Sequence, residues 1–248
     1  ASLIQLGYGK HQQRLRASIS GQTSLIAVET ASDKDLTKRV WRSAGIPVPE
    51  GVMIDPKADD AVLEEAIACL GATGLVVKPA HDGSSIGVTK LAEPTVAALR
   101  KALEDAAGVR GDEVLVEEYI HGREFTVAVL DGRALPVIEI RAPEGDYDFN
   151  NKYFGDAVHY DCPAKLEDEA AATLGSLCER AFAAVGARGW SRIDALQRAD
   201  GSFALLEINT SPGMTPHSLV PMAARAVGFP GGVIPRRAPR RRRSGRAA

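Results

Sequence analysis

The 248-residue sequence has few cysteines and few aromatic residues. Its three cysteines, Cys69, Cys162 and Cys178, are widely spaced and odd in number. That pattern argues against a disulfide framework and favours a reducing compartment. No apolar run approaches the roughly 20 residues that a membrane-spanning helix needs, and the first residues show no basic-then-apolar signal peptide. We therefore expect a cytoplasmic protein that makes no contact with a membrane.

The sequence also lacks a large net charge, but its charges are unevenly distributed. The formal net charge is −2, and residues 236–248 hold seven arginines and no acid. The rest of the chain is therefore acidic, which does not favour nucleic acid as a partner. We expect residues 230–248 to form a disordered tail, because its arginines repel one another and it has no apolar face to bury. Salt-dependent nucleic-acid binding through this tail is the alternative.

Apolar periodicity and turn signals predict helices mixed with antiparallel hairpins. The predicted helices cover about residues 33–44, 58–70, 95–107, 166–185 and 217–227. The predicted strands cover residues 75–79, 114–120, 124–130, 133–141, 190–197 and 203–208. This mixture predicts an α+β fold with two lobes joined near residue 120.

The most informative chemical signal lies in the last predicted hairpin. If residues 200–201 are the two central residues of its turn, Asp194 lies opposite Glu207. Arg192 then lies opposite Asn209, and all four side chains share one face. Two facing carboxylates repel each other unless a cation lies between them, and Mg²⁺ prefers oxygen ligands. The register therefore predicts a magnesium site with an arginine beside it for a phosphoryl group or an oxyanion; a solvated hairpin face is the alternative.

A second, weaker signal is the glycine- and serine-rich loop over residues 81–87. It follows the predicted strand that contains Lys78. Backbone N–H groups of such a loop can bind phosphate oxygens, and the lysine adds positive charge. The loop is not a Walker loop, because no GK[ST] follows it. An ordinary hairpin loop is the alternative.

Three further segments predict ligand contacts. Residues 117–120 end a strand, and with Glu124 they offer carboxylates and backbone groups to adenine or ribose; a charged edge strand is the alternative. The aromatic loop around residues 152–154 suits a lid over a ligand, or a mobile loop pinned by its tyrosine. Residues 209–219 lead into a helix whose N-terminus can hold a carboxylate, although His217 there is equally suited to capping the helix.

Taken together, these segments resemble the ATP-grasp family, and within it the D-alanine–D-alanine ligases. The matching stretches are VVKPAHDGSSIGV, VLVEEYIHGREFTVAVL, NNKYFGD, GWSRIDALQ and LLEINTSPGMTPHSLVPMAA, in the family's order over about residues 33–229. The resemblance implies an ATP-grasp fold that binds nucleotide between two lobes. The implied divisions are an N-terminal segment over residues 1–32, a first lobe over 33–119 and a second, catalytic lobe over 120–229.

The resemblance also implies a role for each matching residue. The implied ATP-binding residues are Lys34 and Lys78 at the phosphates, Glu117, Glu118, Ile120 and Glu124 at the adenine and ribose, and Lys152. The implied ligands of two Mg²⁺ ions, with Mn²⁺ as a substitute, are Asp194, Glu207 and Asn209. The implied oxyanion and substrate residues are Arg192 and the Gly213 amide, Ser84 and Tyr153 at the first amino-acid site, and Ser218 and Leu219 at the second.

The implied activity is ATP-dependent ligation of two small amino acids through an acyl phosphate, with D-alanine favoured as both substrates in peptidoglycan synthesis. A homodimer is one assembly open to such an enzyme. The alternatives are a ligase of the cyanophycin synthetase type, which the first 32 residues resemble, and a truncated ATP-binding module without activity. The ligases also carry a preceding domain whose glutamate holds the first substrate's ammonium. Only 32 residues precede the first predicted helix here, so we expect Mg·ATP binding with poor D-alanine ligation.

Overall fold

The computed structural model describes residues 3–6, 13–16, 19–20, 23–81, 87–110, 114–141, 158–215 and 217–229. The helices within these ranges are α1 (Leu25–Ser32), α2 (Lys34–Ser43), α3 (Asp60–Leu70), α4 (Val96–Arg110), α5 (Asp168–Ala184) and α6 (Leu219–Ala226). The strands are β1 (Leu3–Leu6), β2 (Gln13–Arg16), β3 (Ile19–Ser20), β4 (Gly51–Ile54), β5 (Leu75–Pro79), β6 (Thr89–Leu91), β7 (Val114–Glu118), β8 (Arg123–Leu130), β9 (Arg133–Ala134), β10 (Ile138–Arg141), β11 (His159–Asp161), β12 (Trp190–Gln197) and β13 (Phe203–Asn209). Three predicted site residues, Ser84, Lys152 and Tyr153, and the predicted tail over 230–248 lie outside the described residues.

The strands of the described residues form three sheets, and every strand pair is antiparallel. The strands β1, β2 and β3 make a small sheet at the start of the chain. A four-stranded sheet has the order β4-β7-β5-β6. A six-stranded sheet has the order β11-β10-β8-β12-β13, with β9 also paired to β8. Antiparallel sheets with packed helices confirm the predicted α+β class.

One face of the four-stranded sheet is covered by α3 and α4. Leu75 and Val77 are two residues apart on β5, so both point to the helices, and both are fully buried. Leu99 and Leu103 are one turn apart on α4 and enter the same apolar cluster. This core fixes β5 and β7, the two strands that bring Lys78 and Glu117 to the candidate site.

The six-stranded sheet packs helices on both faces. On one face Phe125 of β8 and Ile193 of β12 meet Leu174 of α5. On the other face Ile138 of β10 packs against Leu219 of α6. Because side chains alternate along a strand, the residues on either side of Ile193 point to the face that α6 covers.

Helix α2 precedes the four-stranded sheet in the chain but packs on the six-stranded sheet. Its Trp41 is fully buried, and the indole N–H donates to the backbone oxygen of Ala181 in α5 at 3.0 Å. Asp33 caps the helix by accepting from the N–H of Leu36 at 2.9 Å, as its position in the sequence predicts. The predicted divisions of the chain into lobes stay predictions.

The prediction of one strand over residues 133–141 was wrong in detail. The structure has two strands there, β9 and β10. Pro136 lies between them and has no N–H to donate to β8, so the ladder is interrupted at that point.

The structure shows the state of the three cysteines and the lengths of the described helices. Cys69, Cys162 and Cys178 are all free. Among the helices that the described ranges contain, none is long and apolar enough to cross a membrane.

Candidate active site

The hairpin of β12 and β13 brings the four predicted residues together in the predicted register. Asp194 pairs with Glu207, and Arg192 pairs with Asn209. Directly paired residues share a face of the sheet. The two carboxylates, the amide and the guanidinium therefore line one face of this hairpin.

The turn that led to this register was nevertheless predicted incorrectly. The N–H of Arg198 donates to the oxygen of Ser202 at 2.8 Å, so the loop has three residues, 199–201, and not two. Gly201 provides the positive φ of 86° that this loop requires. The register then shifts by one at Leu206, an extra residue between Leu205 and Glu207 that forms a bulge in β13. The longer loop and the bulge offset each other, so Asp194 still faces Glu207.

Asp194 is held tightly by its neighbours and is only 6% exposed. The guanidinium of Arg192 donates to its two carboxylate oxygens at 2.9 and 2.8 Å. The hydroxyl of Thr126, on the neighbouring strand β8, donates to the same carboxylate at 2.6 Å. Thr126 was not predicted, although a threonine two residues after Glu124 in an otherwise apolar strand was the available signal. These three bonds fix the orientation of the carboxylate before any ligand binds.

The donor set of the hairpin fits Mg²⁺. Asp194, Glu207 and Asn209 supply two carboxylates and an amide oxygen, which are hard ligands. Each carboxylate oxygen has two lone pairs, so the bonds that Asp194 accepts leave room for a metal. No group of three or more His, Cys, Asp or Glu side chains suited to a metal occurs in the described ranges. A set with only two carboxylates agrees with that result.

A second ionic cluster lies on the face of the four-stranded sheet opposite α3 and α4. Glu117 on β7 is only 2% exposed, and its carboxylate lies between two lysines. The ammonium of Lys78 on β5 is 2.6 Å from Oε2 of Glu117. The ammonium of Lys38 on α2, also 2% exposed, contacts Oε1. Lys38 was not predicted; the available signal was a lysine on the inward face of α2, one turn after Lys34.

Burial changes the acid–base properties of these lysines. Burial lowers the pKa of Lys78 from 10.5 to about 8; the negative charge of Glu207 opposes this shift, and the positive charge of Lys34 adds to it. Burial likewise lowers the pKa of Lys38, and the charge of Lys78 lowers it further. The effect of Glu207 places this cluster within electrostatic reach of the β12–β13 hairpin. Lys34 begins α2, and its N–H donates to the oxygen of Ala80 at 3.0 Å, directly after β5.

The neighbouring acid Glu118 faces away from this cluster. Its carboxylate accepts from the guanidinium of Arg198 at 2.9 and 2.5 Å, and from the N–H of Glu50 at 2.9 Å. The hydrogen bonds from Arg198 lower the pKa of Glu118. Adjacent residues of a strand point to opposite faces, so the carboxylates of Glu117 and Glu118 do not converge on one ligand. The role of this pair at adenine and ribose stays a prediction.

The connection between the two larger sheets carries Ile120 and leads to Glu124. Ile120 is buried, whereas Glu124 is half-buried on β8 and pairs with Leu196 of β12. Glu124 is two residues before Thr126, so it lies on the face that bears Asp194. Within the connection a Cβ at Gly122 would lie 1.8 Å from the backbone oxygen of Gln197, so only glycine fits there.

The predicted oxyanion and second-substrate residues lie between β13 and α6. The hydroxyl of Ser218 accepts from the N–H of Thr215 at 3.0 Å. A Cβ at Gly213 would lie 2.9 Å from that hydroxyl, so the backbone of Gly213 passes close to Ser218. Leu219 is buried against Ile138, and its side chain belongs to the core. The proposed substrate roles of Gly213, Ser218 and Leu219 stay predictions.

Known proteins resemble this chain over most of its length. Residues 40–231 match the family model described as the D-ala D-ala ligase C-terminus. The chain is 48% identical over 207 residues to a D-alanine–D-alanine ligase of Ectopseudomonas mendocina, covering 84% of this chain and 64% of that relative. It is 46% identical over 212 residues to the D-alanine–D-alanine ligase of Ralstonia nicotianae, covering 84% and 62%.

Solved structures give the same result. The fold matches the VanG D-Ala:D-Ser ligase from Enterococcus faecalis with a TM-score of 0.73 and 31% identity, over 84% of this chain and 60% of that one. It matches the Bacillus anthracis D-alanine–D-alanine ligase complexed with ATP with a TM-score of 0.68 and 26% identity, over 83% and 64%. The fold is thus that of the ATP-grasp ligases, as the sequence predicts. Within that class, the chain belongs to the D-alanine–D-alanine ligase family. It spans a little under two thirds of the length of the curated relatives it matches.

Proposed function

We propose that this chain binds Mg·ATP and contributes the catalytic residues of an ATP-dependent ligase that joins two molecules of D-alanine for peptidoglycan synthesis. The observation that carries the proposal is the register of the β12–β13 hairpin. It gathers Asp194, Glu207 and Asn209 on one face, with Arg192 beside them. The family to which the chain belongs supports the choice of D-alanine.

The residues of the chain suit a reaction in two steps. In the first, a carboxylate oxygen of one D-alanine bonds to the γ-phosphorus of ATP while the bond to ADP breaks, giving an acyl phosphate. In the second, the amine of another D-alanine bonds to the acyl carbon; phosphate leaves with the C–O bonding electrons, and the amine gives up a proton. In this proposal Arg192 would stabilise negative charge on the transferred group or on the tetrahedral oxygen. Lys34 and Lys78 would hold the phosphates.

Asp194, Glu207 and Asn209 would hold Mg²⁺. When bound, the metal neutralises charge on the phosphates. We propose two such ions, as the resemblance implies. Small amino acids in the cytoplasm are the proposed substrates, and a homodimer is the proposed assembly.

A phosphate-release assay over a panel of amino acids tests the proposed reaction. D-alanine, D-serine and L-alanine are each added to the chain with Mg·ATP. We expect D-alanine to give the fastest release. The same assay on Arg192→Lys should show a loss of D-alanine-dependent release, because lysine does not reproduce the forked guanidinium. Release that no amino acid increases would contradict the proposal.

A further inference from the structure

Lys38, Glu117 and Lys78 form a buried ionic cluster. All three side chains are buried, and one carboxylate serves two lysines, with one oxygen for each. Burying charged groups costs free energy, and it is tolerated where the groups are paired. The cluster thus has one carboxylate for two lysines, and Glu207 of the β12–β13 hairpin is a further acid that acts on both of them.

Lys38 reaches this cluster from a different part of the fold. Its helix is anchored by Trp41 to α5, against the six-stranded sheet. One turn of helix earlier, the hydroxyl of Thr37 donates to the oxygen of Thr30 at 2.7 Å, which ties α2 to α1. Glu117 and Lys78, in contrast, lie on paired strands of the four-stranded sheet. Lys38 is therefore a fixed point that connects α2 to β5 and β7, the strands beside which the phosphates are proposed to bind.

We infer that Lys38 is a positioning residue, which holds one oxygen of Glu117 so that the other oxygen aims Lys78 at the phosphates of the nucleotide. Without Lys38, Glu117 is free to turn both oxygens to Lys78. The ammonium of Lys78 is then drawn away from the phosphates and fully neutralised. Lys38 itself need not touch the nucleotide. This inference rests on the proposed binding of ATP.

The test compares the affinities for Mg·ATP and for adenosine, measured by competition against a fluorescent ATP analogue. Lys38→Met keeps the length and the apolar stem of the side chain and removes the charge. We expect it to weaken Mg·ATP by about tenfold or more, the effect of a lost charge-assisted bond, while the affinity for adenosine is unchanged. The matched control is Arg39→Met on the same helix. The side chain of Arg39 is 70% exposed, and its guanidinium forms a long ion pair with Asp35, at 3.8 Å. This variant should change neither affinity.

A purely structural role for Lys38 predicts another result. Equal losses for Mg·ATP and adenosine, or no loss for either, would overturn the inference. Lys38→Gln keeps a donor for Glu117 without the charge and replaces the methionine variant if that variant does not fold; if neither folds, Lys38 serves the fold and the inference is wrong. If the unchanged chain does not bind Mg·ATP, the proposed function itself fails. If the unchanged chain binds Mg·ATP and the Lys38 variants keep its ratio of affinities for Mg·ATP and adenosine, only the inference about Lys38 fails.

Discussion

The two ionic clusters of the site differ in what holds the acid at the centre of each. Asp194 is held by Arg192 on its own strand and by Thr126 on the next strand, and both of these partners belong to its own sheet. Glu117 is held by Lys78 from its own sheet and by Lys38 from a helix that packs on the other sheet. The proposed metal ligands therefore depend on the six-stranded sheet alone, whereas the proposed phosphate-binding lysine depends on how α2 meets the four-stranded sheet.

A single substitution can therefore affect one cluster and leave the other unchanged. Changes in the hairpin should act through the metal, and changes around Glu117 should act through the phosphates whether or not a metal is present.

The largest effect is expected for Lys78→Met. Lys78 lies beside the proposed phosphate site, so its loss should weaken ATP by about ten- to a hundredfold and AMP by much less. Calorimetry with both nucleotides measures the difference. The control is Lys101→Met on α4, where Lys101 is exposed and pairs only with Asp105 in the described contacts. Equal losses for ATP and AMP would mean that Lys78 stabilises the fold or lies near adenine, and not near the phosphates.

A smaller effect is expected for Thr126→Val. Valine has nearly the same shape but cannot donate to Asp194, which keeps its two bonds from Arg192. We expect the affinity for ATP to fall by up to about tenfold when Mg²⁺ is present, and to stay unchanged when EDTA removes the metal. Thr173→Val on the exposed side of α5 is the matched control. A loss of the same size in EDTA would mean that Thr126 acts on the fold and not on the metal.

The smallest effect is expected from pH. The pKa of Lys78 is about 8 in the folded chain, so its ammonium is lost as the pH rises through 8, and the affinity for ATP should fall severalfold. Stability should change in the opposite direction. Between about 8 and 10.5 the unfolded chain binds more protons at Lys78 than the folded chain does, so the free energy of unfolding should rise with pH in that window.

Lys78→Met should weaken both of these pH dependences, and the change in stability that remains includes the contribution of Lys38, whose pKa burial also lowers. Lys34, Lys38 and Glu207 act on Lys78 and would alter the midpoint without reversing either direction. Affinity and thermal unfolding measured from pH 7 to 10 in both proteins check the prediction. An ATP affinity that is flat over this range in the unchanged chain would argue against a charged Lys78 at the phosphates.

The sequence predicted the hairpin cluster more fully than the lysine cluster for a physical reason. Asp194 and Glu207 lie 13 positions apart on paired strands, and the period of two fixes which side chains share a face. The loop length was wrong, and only the bulge at Leu206 kept the register. Lys38 and Glu117 are 79 positions apart on elements with no shared period, so nothing in the sequence alone indicates their contact.

Alternation along β7 separates the faces of Glu117 and Glu118, as the period of two indicates from the sequence, and the role of both acids at adenine and ribose stays a prediction. Thr126 contacts Asp194 only because β8 lies beside β12, and a single sequence does not reveal the order of strands in a sheet. The roles of Ser84, Lys152 and Tyr153 stay predictions.

The measurement that tests the account most directly is the dependence of ATP affinity on Mg²⁺ in the unchanged chain and in Glu207→Ala. We expect Mg²⁺ to strengthen ATP binding in the unchanged chain, and this gain to be lost in a folded Glu207→Ala variant, because one of the two facing carboxylates is gone. Glu65→Ala, on the exposed side of α3, should keep the full gain. If Glu207→Ala retains the same gain from Mg²⁺ as the unchanged chain, the β12–β13 hairpin does not bind the metal, and the proposed function loses the observation that carries it.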